Sequence, residues 1–194
     1  MKLSTTVTTL LAVVTLGTAS LAFAQAGADM NEQMALMQKQ VALMKPELQQ
    51  KVKALSPETK KLLLQLLAQH TRYSDRVTFR QVMHEVLADY QSMVAGIVTE
   101  NPEQAAEAAR RLANHRMPRG GLLPYLKPEH INDAALSALL PFNETVEGNT
   151  LKLAEAAERG DMALATNYLT TITTGCVGCH QMFRGTPGLS DRLR

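Results

Sequence analysis

Residues 161–184, DMALATNYLTTITTGCVGCHQMFR, decide how the rest of the chain is read. Asp161 directly follows Gly160, a helix stop beside the capping residue of the next helix. The stretch therefore opens a long helix that carries Cys176, Cys179 and His180 towards its end. These are the only two cysteines in the sequence. Three residues make just under one helical turn, so both sulfurs can face one side of the helix.

Working outward, a fifth helix is expected from about Pro141 to Arg159. Before it, His115 to Glu129 holds Pro118, Gly120, Gly121, Pro124 and Pro128, too many breakers for a helix, and reads as a loop crossing the molecule. A fourth helix opens at Asn101-Pro102-Glu103-Gln104, a cap with proline inside it. A third spans about Ser74 to Thr99. Upstream of these, one helix is expected from Asn31 to Leu55 and another after Ser56, where Pro57 suits the first helical position. Strand signals are nearly absent and aromatic residues are only 4% of the chain,. The expectation is an all-α protein: a four-helix bundle over residues 74–187, preceded by an additional N-terminal helical extension over residues 25–73 and followed by a tail, 188–194.

The start of the chain reads as a secretory signal peptide over residues 1–24. Lys2 supplies the positive charge, Leu10 to Leu16 the apolar run and Ala22-Phe23-Ala24 the cleavage site. Lys2 is the only charged residue there, so removing the segment lowers the formal net charge from +2 to +1. No membrane span is expected after cleavage, and the near-balanced charge points away from nucleic acid. A hydrolytic constellation is missing too: there is no Gly-x-Ser-x-Gly elbow, phosphate-binding glycine loop or His-Glu-x-x-His helix.

Export gives the cysteine pair three readings. Cys-x-x-Cys-His is the spacing for covalent attachment of one c-type haem, with a thioether to each sulfur and His180 as axial ligand of the iron. A thioredoxin-like dithiol would open a helix in a βαβ unit, whereas this pair closes a helix in a strandless chain. Structural zinc would want a second matched pair, and His70, His84, His115 and His130 are scattered. A plain disulfide remains the non-haem alternative.

The chain also resembles the class II cytochromes c, which include cytochrome c′ and the low-spin cytochrome c556. The likeness rests on Cys176-x-x-Cys179-His180-x-x-Phe183-Arg184, on Lys127-Pro128-Glu129, on Glu158-Arg159-Gly160-Asp161 and on Asn101-Pro102-Glu103-Gln104-Ala105-Ala106. It covers about residues 74–187 and leaves the extension unexplained. It implies a four-helix bundle with haem near the C-terminus and frequent homodimers, and the export signal and single haem point to a periplasmic protein that exchanges electrons with redox partner proteins rather than to an enzyme.

In such proteins the distal haem ligand lies on the first bundle helix, where the candidates are Met83 and His84. The apolar set Phe79, Val82, Met83, Val86, Tyr90, Met93, Val94 and Ile97 clusters on one helical face. Met83 lies within it, whereas His84 is turned towards Arg80. Met83 also precedes Pro102 by nineteen residues, the interval the resemblance implies without a gap. The expected state is low-spin with His180 and Met83 as ligands and His84 as the alternative. If Met83 is only core packing, the iron is five-coordinate and binds NO or CO. Arg184 reads equally as a haem-edge contact and as a cation favoured by the helix C-terminus. Met30, Met34, Met37 and Met44 read as an amphipathic face rather than a Cu(I) site. His70 and His115 read as surface or loop residues, and His130 as one that could approach the haem edge.

Overall fold

A computed structural model describes residues 31, 32, 34–118 and 121–184. The expected signal peptide and tail lie outside these residues. The described chain is all-helical apart from two strands of two residues each. In order come α1 (residues 34–42), α2 (Pro46–Ala54), α3 (Pro57–Ala68), α4 (Phe79–Val98), α5 (Pro102–Ala113), α6 (Asp133–Leu136), α7 (Leu139–Asn143), α8 (Asn149–Glu158) and α9 (Met162–Cys179). No described helix is long and apolar enough to cross a membrane.

Local chemistry sets most of the boundaries. Ser56 accepts a hydrogen bond from the Thr59 amide, Asn101 from Gln104 and Asp161 from Leu164, each satisfying an otherwise orphaned first-turn donor,. The start of α4 is later than residue 74, because Thr78 and Gln81 form a reciprocal capping box there,. The single helix expected over 31–55 is two: Lys45 precedes Pro46 and takes extended geometry, as a proline imposes on its predecessor,. The expected helix over 141–159 is also interrupted, since residues Glu144–Gly148 form a π-helical segment between α7 and α8.

Helices α4, α5, α8 and α9 pack in sequence, and α4 also meets α9. Their shared core is largely alanine, with Ala105, Ala108, Ala109, Ala154, Ala156, Ala157 and Ala165 all buried around Met93, Leu112, Leu153 and Ile172. Small side chains let the helix axes approach. At Gly96 two of the helices nearly touch, since an added Cβ would lie 2.5 Å from the Ala105 backbone nitrogen.

The extension does not stand apart from these helices. Val52, Leu55, Leu63 and Leu66 share a second core with Leu123, Ile131, Leu136, Leu139 and Phe183. Tyr73–Ser74 pairs in parallel with Met117–Pro118, and Asn114 exchanges hydrogen bonds with Thr71 at 2.9 and 2.8 Å. The loop between α5 and α6 is thus gripped on one side by α3 and its trailing segment.

Candidate functional site

The last turn of α9 sits where the two cores meet. Cys176 packs against the alanine-rich core and Cys179 against the second one. Gly175 and Gly178 allow this placement, because a Cβ at Gly175 would come within 2.8 Å of Thr145 and Val146, and one at Gly178 within 2.9 Å of Phe142. The π-helical stretch and α7 therefore press directly on the helix that bears the cysteines.

Both thiols are unpaired and half-buried. Burial pushes the Cys179 thiol up to about 11, with the neighbouring Cys176 adding to it. Cys176 is also raised, again by burial. Neither is a thiolate at neutral pH, the opposite of a catalytic dithiol. His180 begins a second π-helical segment, His180–Arg184, and is exposed. Partial burial lowers its pKa, and the Arg184 cation lowers it further, so the imidazole is favoured in its neutral, metal-binding form,.

A groove of about 540 Å³ runs beside this turn, lined by Tyr90 of α4 and by Leu169, Thr173, Val177, Gly178 and Gln181. Tyr90 and Thr173 join its two walls through a 2.7 Å hydrogen bond. On α4, Met83 is half-buried and His84 is exposed. Arg184 is exposed, close enough to His180 to act on it. His130 is half-buried and meets Phe183 edge-on at 5.6 Å, with its Nδ1 lacking a hydrogen-bond partner.

A second constellation was not anticipated from the sequence. His70 and His115 are buried, 3% and 8% exposed, rather than lying on the surface or in an open loop. They converge on Glu147 of the π-helical segment. His70 leaves the end of α3 and His115 the end of α5, so their meeting depends on how those helix ends are docked. No spacing rule relates the three positions. The one local hint is that each histidine lies within two residues of its helix end, where a chain leaves a rigid element.

The fold and these residues define an all-helical protein with an unpaired Cys-x-x-Cys-His turn beside an interhelical groove. Compared with protein-family models, curated proteins and solved structures, the chain matches none of them.

Proposed function

We propose that the protein is a periplasmic mono-haem c-type cytochrome that transfers electrons, with α4, α5, α8 and α9 as a cytochrome c′-like four-helix bundle. The observation that carries the reading is the donor set at the end of α9. Two unpaired thiols one helical turn apart adjoin an exposed imidazole and a groove walled by a second helix. The high thiol pKa fits a role as thioether-forming attachment points better than one in thiol exchange,.

The two helices bordering the groove run antiparallel, since each of the packed pairs α4 with α5, α5 with α8 and α8 with α9 reverses direction. Short links reverse the first and last pairs. The middle pair reverses because His115 meets Glu147 while Arg110 meets Glu158. Met83 lies seven residues before Tyr90, and His180 seven after Thr173. From the hydrogen-bonded pair, both therefore lie about 10.5 Å along their helix axes towards the same end of the molecule. Seven residues is also close to two full turns, so Met83 shares the face of Tyr90 while the exposed His84 is turned by about 100°, which supports Met83 as distal ligand,.

When bound, haem supplies the one-electron couple of its iron. Cys176 and Cys179 would anchor the group, and His180 and Met83 would hold its iron, a His/Met pair that would raise the reduction potential relative to two nitrogen ligands. The apolar alanine core excludes water on one side, while exposed Val177, His180 and Arg184 offer an edge to redox partner proteins.

The test is visible spectroscopy on the purified exported protein. A reduced haem band that survives acid-acetone extraction and low-spin spectra unchanged by CO are expected. Loss of all colour on extraction would refute covalent attachment. CO-sensitive, high-spin spectra would instead establish a five-coordinate haem that binds gases.

A further inference from the structure

We propose that His70, His115 and Glu147 form a site for one divalent transition-metal ion of the zinc type, which fastens the N-terminal extension to the main helices. The argument begins with the ring nitrogens facing away from the cluster. His70 Nδ1 lies 3.1 Å from the Leu66 carbonyl oxygen, and His115 Nδ1 lies 2.9 Å from the Arg116 carbonyl oxygen. A carbonyl only accepts, so both Nδ1 atoms carry the proton. In neutral rings both Nε2 atoms then present lone pairs.

Those lone pairs point at a third acceptor. Glu147 Oε1 is 3.5 Å from His70 Nε2 and 3.3 Å from His115 Nε2. The ring centroids are 4.5 Å apart. His70 Nε2 is buried and has no hydrogen-bond partner. Three lone-pair donors facing one another inside a protein repel unless a cation lies among them.

The distances indicate which cation. A charge-assisted N–H···O bond between imidazolium and carboxylate is about 2.7–2.9 Å long, shorter than either separation here. For ligands about 2.0–2.1 Å from a tetrahedral centre, however, the ligand-to-ligand edge is about 3.3–3.4 Å. Both observed nitrogen-to-oxygen separations are close to that edge, and all three donor atoms lie within 4.8 Å of one another, so closing on an ion needs only a small movement of the rings. Two imidazoles and one carboxylate are also a donor set that zinc accepts, with a fourth position left for water.

The surroundings have the features of a supported metal site. Backbone carbonyls orient both histidines, as outer-shell partners do for metal-bound imidazoles. Asn143 donates its side-chain N–H to Glu147 Oε2, leaving Oε1 for the cluster. Glu147 lies in the π-helical segment, an irregularity that recurs at functional positions and here turns its side chain to both histidines,.

The role follows from where the ligands originate. His70 belongs to the extension, His115 to the end of α5 and Glu147 to the segment that presses on Gly175 of α9. One ion would cross-link all three. The site shares no residue with the cysteine turn, so it does not depend on haem.

The experiment uses the full exported protein, stripped with chelator and titrated with zinc, with zinc and iron per chain counted separately by atomic emission. One zinc per chain is expected, along with a zinc-dependent rise in Tm. Glu147→Gln retains volume and the partner for Asn143. It should weaken zinc binding at least about tenfold and abolish the Tm rise, with iron content unchanged. His115→Asn should do the same, and if that variant fails to fold, Glu147→Gln decides. Wild-type protein that binds no stoichiometric zinc, or a Glu147→Gln variant with wild-type affinity, would overturn the proposal. Iron content reports independently on haem, so the two readings fail separately.

Discussion

Tyr90 donates its hydroxyl to Thr173 Oγ1 across the groove between α4 and α9, at 2.7 Å. The direction is settled by Thr173, whose own hydroxyl proton goes to the Leu169 carbonyl at 2.7 Å. This bond ties together the two helices that face one another across the groove. Tyr90→Phe should therefore lower unfolding stability by about 1 kcal/mol. Urea denaturation measures it, and no change in midpoint would remove the bond from the account.

The distal side of the proposed haem site can be tested by substitution. Met83→Leu should turn the spectra high-spin and admit CO, whereas His84→Ala, at an exposed position, should leave both unchanged. The reverse pattern would assign the ligand to His84.

Gly96 is irreplaceable on steric grounds. A Cβ there would lie 2.5 Å from the Ala105 nitrogen and 2.9 Å from its Cα, and backbone atoms cannot rotate away. Gly96→Ala should destabilise the fold by about 2 kcal/mol or more, because α4 and α5 must separate. A thermal midpoint equal to wild type would contradict this packing.

Asp133 links the extension to α6 and gives a pH signature. Its carboxyl is held below the ordinary value of 3.8 by the Thr59 side chain and then by the Ser56 amide, which donates at 3.0 Å. A depressed folded pKa adds stability above the unfolded value, lost as pH falls through the folded one. Asp133→Asn should thus be less stable than wild type at neutral pH, with the gap closing as pH drops below about 4. Denaturant midpoints across that range check it, and a gap that widens in acid would be the wrong sign.

The cysteines predict their own chemistry. With Cys179 near 11 and Cys176 raised, chain made without haem attachment should react slowly with iodoacetamide at neutral pH. The thiolate fraction of Cys179 should be on the order of a hundredfold below that of a free cysteine, whose pKa is about 8.5,. Alkylation as fast as that of a small thiol would show that burial does not protect them.

Much of this architecture is written locally. Caps at Ser56, Asn101 and Asp161, helix-starting prolines and an apolar face on α4 act within a few residues, so the amino-acid order by itself determined the helical class, several helix starts and the half-buried position of Met83 beside an exposed His84. The break at Pro46 obeys an equally local rule, but the long apolar periodicity around it masked the boundary,. Other features arise only when distant segments dock. The π-helical stretch at Glu144–Gly148 lies where α7 and α8 are pressed against Gly175. The meeting of His70, His115 and Glu147 needs the extension seated against the α5–α6 loop with α5 and α8 in place. Neither leaves a periodic or short-range mark, because side chains brought together by tertiary packing are neighbours in space and unrelated in sequence.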